Sequence, residues 1–338
     1  MSKEESKNIE KKEENKSFFS PLQICTVIKT KGNASLQVIQ IGKKKYILSL
    51  PAEGDIEIYS VKLLKYQFSI PSSIHSDRIN RVTELKSGLL VTTSCDTTIN
   101  ILKMDYINKK HEVIQVLLGH TSSVWMCLEL SDGNLATCCN DKTIRIWFND
   151  IETKQYEPLQ ILSTDYDEVG EMLETKNKIL ITCSVFDASY EVQFWSIENY
   201  ERIGIVEDIA TCGCRDLIQI TDDIICVNGS RDEEGLQFIS ISQLKKVKHI
   251  KTFNDNKIDS FYRAKDGTIF IGFGEADYDN MNSPNNYGSI KQYKFDEKNI
   301  ELIEICQKEK CHDFPVLGFY ELSNGDFVSF SKEIIVWK

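Results

Sequence analysis

No run of roughly 18 apolar residues, the length a membrane-spanning helix needs, occurs in the 338-residue chain. The opening stretch MSKEESKNIEKKEENK contains no apolar segment of the kind a secretory signal requires. These two absences predict a cytoplasmic or nuclear protein with no membrane partner. Beyond short runs such as Lys43 to Lys45 there is no basic stripe, and the net charge is −11, which argues against nucleic acid as the main partner. An acidic surface of this kind suits protein or peptide partners that carry basic segments.

Chemical signatures are equally sparse. There is no GxSxG, no HExxH, no P-loop and no dinucleotide fingerprint, so neither catalytic residues nor a cofactor are expected. Cys212 and Cys214 lie one residue apart and Cys311 precedes His312, but no second CxxC or HxxxH pair completes a four-ligand zinc set. In the polar insertion Glu275 to Tyr287, Asp277 and Asp279 hint at a calcium loop. The pattern fails because Met281 stands at the third ligand position and no glutamate closes the loop, so the segment reads as solvated. The eleven cysteines, in a chain of this size without a signal, read as reduced and mostly buried small hydrophobes, Cys139 and Cys183 among them.

What the chain does contain is a core and a repeat. With 41% hydrophobic residues it can bury about 75% of its unfolded surface. Residues 1–17, dominated by Lys and Glu, bury too little to offset ordering entropy and are expected to be a disordered tail ahead of one folded unit, 18–338. RINRVTELKSGLLVTTSCDTTINIL (78–102) and SVWMCLELSDGNLATCCNDKTIRIW (123–147) superpose without a gap at a shift of 45 residues, which also brings His75 onto His120, Asp96 onto Asp141 and Leu102 onto Trp147. Within the unit, Val124, Met126 and Leu128 alternate with other positions, and Ser131 to Gly133 make a turn. Leu135 to Cys139 and Thr143 to Trp147 follow as two more strands. The segment before the next unit, such as Val113 to Leu118, supplies a fourth. Four strands per unit of 40 to 45 residues is the spacing of a β-propeller blade, and helical periodicity is hard to find anywhere.

GHTSSVWMCLELSDGNLATCCNDKTIRIWFND (119–150) resembles a WD40 repeat, with Gly119 and His120 as its GH pair, Asp141 in the turn between second and third strands, and Trp147 followed by Phe148 where the family has Trp-Asp. The resemblance extends over residues 18–338 with weaker units. His75, Thr92 and Asp96 mark blade 2, Trp195 marks blade 4, LIQITDDIICV blade 5, AKDGTIFIGF blade 6, and His312 with Trp337 blade 7. Residues 35–60 form blade 1. The expected fold is therefore all-β, a seven-bladed propeller of four antiparallel strands per blade. Since the chain stops one residue after Trp337, the orphan strand Leu22 to Ile28 is expected to complete blade 7 and close the ring.

In the family, a His, a Ser or Thr, an Asp and a Trp form a hydrogen-bonded chain inside the blade. The resemblance assigns that structural role to His120, Thr137, Asp141 and Trp147, with His75, Asp96, Trp195 and Trp337 as counterparts. It places partner-binding positions three and five residues after the histidine and just before the turn aspartate. These are Arg78, Asn80 and Cys95 in blade 2 and Ser123, Trp125 and Asn140 in blade 3, with Glu168, Arg215, Lys257 and Asp259 in later blades. Trp125 is the leading candidate, because its parity is opposite to Val124 and Met126, and exposed Trp beside Arg and Asn is the composition of an interaction hot spot. The implied function is a non-catalytic scaffold or adaptor, a monomeric propeller working within complexes. The alternatives are a constitutive subunit of a larger assembly, a propeller hydrolase, and a ubiquitin-ligase substrate receptor. The stretch WFND in place of WDxR and the short tail weigh against the last of these.

Overall fold

The computed structural model describes residues 23–30, 34–164, 168–184, 191–207, 209, 214–229, 235–250, 258–277, 283 and 285–338. Among them are 28 strands and one short 3-10 turn, Ser72–Ile74. The strands form seven separate four-stranded antiparallel sheets, each built from consecutive strands except the last. Blade 1 runs from Ser35–Ile41 to Lys65–Ile70, blade 2 from Ile79–Glu84 to Lys110–Leu117, and blade 3 from Val124–Glu129 through Leu135–Cys139 and Thr143–Asp150 to Gln155–Ser163. Blade 4 spans Val169–Glu174 to Arg202–Val206 and blade 5 Cys214–Gln219 to Lys245–Ile250. Blade 6 begins at Ile258–Arg263, and its outer strand is Glu301–His312.

Blade 7 takes Gly318–Glu321, Phe327–Phe330 and Glu333–Trp337 from one end of the chain and Ile24–Lys29 from the other. The closing strand pairs antiparallel with Glu333–Trp337, Val27 opposite Ile335 and Lys29 opposite Glu333. First strands of neighbouring blades touch in sequence around the ring, and that of blade 7 touches that of blade 1. The seven-bladed, end-closed propeller is thus the fold of the chain. Residues 1–22 lie outside the described residues, as do 278–282 and 284 in the polar insertion.

The apolar side chains are not gathered into one core. Each junction between blades has its own buried cluster. Met126, Ile144 and Leu162 meet Val169, Met172 and Leu180 between blades 3 and 4, and Ile28, Val328 and Ile334 meet Val38 and Ile47 between blades 7 and 1. Burying these faces drives closure, since a blade removed from the ring would expose both of its sides. Nine described cysteines are free thiols, and Cys127, Cys138, Cys139, Cys183 and Cys226 are buried within these layers.

Two repeated devices register the blades. The first strands of blades 1 to 6 carry a β-bulge after their first residue, as between Val124 and Met126 or Ile79 and Arg81. At five junctions, a carboxylate or amide at the end of one first strand accepts a backbone N–H from the turn of the preceding blade. Glu84 takes Gly42 N at 2.7 Å, Glu129 takes Lys86 N at 2.7 Å, Glu174 takes Ser131 N at 2.7 Å, Glu321 takes Lys265 N at 2.8 Å, and Gln40 takes Ser323 N at 2.9 Å. The Gln40 bond spans the closure junction itself.

Candidate functional site

The residues that look most like catalytic material are built into the blades. His120 Nδ1 lies 2.9 Å from Asp141 Oδ2, His120 Nε2 lies 2.8 Å from Thr137 Oγ1, and Trp147 Nε1 donates to the same hydroxyl at 2.9 Å. Burial lowers the His120 pKa below its ordinary value although Asp141 pulls the other way. The imidazole is therefore neutral at pH 7, and with Asp141 accepting from Nδ1–H, Nε2 is left to accept from Thr137. Burial alone would raise the Asp141 carboxyl, but hydrogen bonds from His120, Thr143 and Thr121 outweigh it and hold the group well below the usual carboxylate range. The result is a one-way chain, from Trp147 N–H to Thr137 O–H to His120 to Asp141.

Blade 2 repeats the chain without its first link. His75 sits 3.0 Å from Asp96 and 2.8 Å from Thr92, and Leu102 replaces the tryptophan. In blade 4, Trp195 Nε1 donates to Thr182 at 3.2 Å; Asp165, at the histidine position, lies outside the described residues. Blade 7 restores all four members, with His312 bonded to Glu333 at 2.7 Å and to Ser329 at 2.6 Å, and Trp337 donating to Ser329 at 2.7 Å. Glu333 and Ser329 were not singled out from the sequence. The spacing that finds them is plain, because the hydroxyl residue stands 17 and the acid 21 positions after the histidine in blades 2, 3 and 7 alike.

His120, Cys139 and Asp141 bring three potential metal-ligand atoms within 4.8 Å of one another. Their chemistry is already committed. Both imidazole nitrogens are bonded, Cys139 Sγ faces the Ser122 carbonyl and the Asp141 N–H, and burial pushes the thiol up to about 12. Cys311 is a similarly poor nucleophile. Burial raises it to about 12, and both ring nitrogens of the adjacent His312 are taken by Glu333 and Ser329.

Six of the partner-binding candidates, those of blades 2 and 3, come together. The bulge makes this possible. Val124 pairs with Cys139 and Met126 with Cys138, so Val124 and Met126 are both buried and Trp125, between them, is displaced from the ladder. Its indole is half-buried rather than fully exposed, packing on the blade 3–4 cluster while Nε1 donates to Asn140 Oδ1. Simple alternation pointed it wholly outward; the bulge turns it partly into the junction instead. Arg78 lies over the indole with its guanidinium carbon 5.8 Å from the ring centroid, and its Nε donates to Asn80 Oδ1 at 3.2 Å. Asn80 in turn donates to the Val124 carbonyl at 2.8 Å, and Cys95 Sγ contacts Asn80 Oδ1 at 3.3 Å. Ser123 joins through its carbonyl, which accepts from Asn140 N at 3.1 Å.

Arg78, Asn80, Cys95, Ser123, Trp125 and Asn140 thus form one patch across blades 2 and 3. Beside it, between blades 1 and 2, opens a cleft of about 570 Å³ lined by Glu53, Ser72, Ser76, Asp77 and Arg78. The remaining candidates do not join the patch. Glu168 is half-buried at the start of blade 4, and Asp259, in the bulge of blade 6, is buried at 7% exposure and offers little surface. Lys257 and the Arg215 side chain lie outside the described residues.

A family model described as WD domain, G-beta repeat matches residues 111–147, which cover the outer strand of blade 2 and blade 3 up to Trp147. Residues 111–147 thus carry a WD40 repeat within a seven-bladed β-propeller. No curated protein matches it over any part of its length. Propellers with WD40 repeats are in the main non-catalytic platforms for protein partners. Among the described residues no helix is long and apolar enough to cross a membrane.

Proposed function

We propose that this WD40 propeller is a non-catalytic scaffold or adaptor of the cytoplasm or nucleus that binds a protein segment on the face bearing Trp125. The carrying observation is the indole held on the bulge by Asn140 and capped by Arg78, a rigid aromatic and cationic anchor beside an open cleft. Glu53 and Asp77, both exposed, line that cleft and favour a Lys or Arg side chain of the partner. The net charge of −11 adds steering that weakens as salt rises.

Affinity purification of the full chain beside Asp77→Lys and Trp125→Ala tests this reading. Asp77 is exposed, so its substitution should release salt-sensitive partners without a change in melting temperature. Trp125→Ala should release the same partners with a modest fall. Identical captured proteins from all three would overturn the reading. A second role, constitutive subunit of a large assembly, predicts instead that the native protein elutes only at high mass and holds its partners at high salt.

A further inference from the structure

In each blade, a side chain on the third strand two residues before the closing Trp, Tyr, Leu or Ile stands opposite the second strand. In blade 1 it is Glu57, which accepts from Tyr59 at 2.5 Å, and in blade 2 Asn100, which donates to the Ile74 carbonyl at 2.7 Å. In blade 4 it is Gln193, which donates to Glu191 at 2.7 Å, and in blade 6 Lys291, paired with Glu304 at 3.1 Å. Gln237 of blade 5 is partnered as well, and blade 7 places the apolar Ile335 there. Blade 3 has Arg145. Among the described residues nothing forms a hydrogen bond or ion pair with its side chain, and its Nε is buried without a partner.

The surroundings of Arg145 are made for access. Where Asn100 ties down the loop carbonyl of Ile74, the equivalent loop residue in blade 3 is Gly119. A Cβ on Gly119 would come within 2.8 Å of Arg145 Nη1, so the glycine leaves the guanidinium its space. Leu118, adjacent to Gly119, is 66% exposed. Ile161, the cross-strand partner of Arg145 on the outer strand, is 52% exposed. Cross-strand partners share a face, so a half-buried cation is flanked by two exposed aliphatic side chains. Neither Arg78 nor Trp125 takes part.

A partly desolvated guanidinium without a counter-charge is unfavourable, and the polar residues at this repeat position elsewhere in the ring each have at least one partner, although Gln193 Oε1 and Gln237 Oε1 are themselves buried without one. We infer that the flank between blades 2 and 3 is a second docking surface, for an acidic and apolar segment of another protein. A Glu or Asp carboxylate of that segment pairs with the Arg145 guanidinium, which its planar fork can hold through two hydrogen bonds. Neighbouring aliphatic side chains of the segment cover Leu118 and Ile161. The surface is independent of the Trp125 face, and it asks for the opposite charge.

A random dodecapeptide library selected on the full chain, with counter-selection on Arg145→Gln, tests the inference. The expected result is enrichment of sequences with an acidic residue between aliphatic ones. In fluorescence anisotropy such a peptide should bind at least about 10-fold more weakly to Arg145→Gln and to Ile161→Ser, and equally well to Arg78→Ala, with melting temperatures unchanged. Replacing its Glu by Gln should cause a similar loss. No enrichment, enrichment of basic sequences, or binding that follows Arg78 rather than Arg145 would overturn the inference. So would displacement of the peptide by a short oligonucleotide at equal concentration, which would mean that only negative charge is read.

Discussion

The Glu333 carboxylate sits 2.7 Å from His312 Nδ1 and does for blade 7 what Asp141 does for His120. Both acids stand 21 residues after their histidine, and both also accept the N–H of the residue that follows it. The difference lies on the other side. Asp141 precedes Trp147 by six residues and Glu333 precedes Trp337 by four, so the turn of blade 7 is two residues shorter. A glutamate has one more methylene than an aspartate, and the extra reach restores the bond across the shortened turn.

Glu333→Asp should therefore be destabilising even though Asp is the residue used in blades 2 and 3. Leaving the buried His312 without its acceptor costs about 1–3 kcal/mol, to be read from urea denaturation midpoints. A variant as stable as the parent would mean that the turn adapts and that side-chain length is irrelevant there.

Within blade 3, His120→Ala and Trp147→Ala should each lower stability by about 3–5 kcal/mol, the range for losing a large buried side chain. Thr137→Val is the sharper probe, because it conserves volume. It removes the acceptor of Trp147 N–H and the donor to His120 Nε2 together, at about 1–3 kcal/mol for each group left unpaired. An unchanged melting temperature in Thr137→Val would dissolve the hydrogen-bonded chain as a stabilising unit.

Acidification should unfold the ring in two stages. Burial holds His75 and His120 below their ordinary value of 6.5, so the unfolded chain takes up these protons first. Their contribution is complete above pH 6.5 and is lost as pH falls below it. Asp96 and Asp141, held below 3.8, and Glu333, held below 4.5, contribute stability that is full above those values and disappears on further acidification. The melting temperature should be flat between pH 7 and 8, decline as pH falls below 6.5 and fall again below about pH 4. A His75→Gln, His120→Gln double variant should lose the first decline while keeping the second.

Deleting residues 1–29 should lower the melting temperature markedly, because it removes Ile24–Lys29 from the edge of Glu333–Trp337 and, with Ile28 gone, uncovers its neighbours Val38, Val328 and Ile334 in the blade 7–1 cluster. Deleting 1–16 should leave it where it was. Equal effects of the two deletions would assign the stabilisation to something other than the closing strand.

Much of this architecture is legible in the chain because the blades reuse the same local chemistry at the same phase. His75 and His120, Asp96 and Asp141, and the apolar closers Leu102 and Trp147 all appear at a 45-residue shift. Three things are hidden, each for a physical reason. The bulge after Val124 depends on pairing with Cys139 and Cys138, which strict alternation cannot foresee, and so Trp125 and Asp259 end up more buried than parity suggests. Glu84, Glu129, Glu174 and Glu321 accept backbone N–H groups from the preceding blade, contacts between residues some 40 to 60 positions apart that no local pattern announces. Arg145 looks like an ordinary surface residue until the partners of its counterparts are compared around the ring.

The closing strand also imposes an order on synthesis. Thr30 bonds to the Lys332 carbonyl, 302 residues further along the chain, and the strand just before it pairs with residues up to Trp337. At roughly 5–20 residues per second, about 15–60 s separate the emergence of the two partners from the ribosome. Through that interval Ile24–Lys29 is a strand without a neighbour, with Ile24 and Val27 among its side chains. A lone strand of this composition is a template for wrong pairing, with a second nascent copy as readily as with its own blade. The ring that is closed once finished is, while being made, a chain in which the strand Ile24–Lys29 waits for Glu333–Trp337.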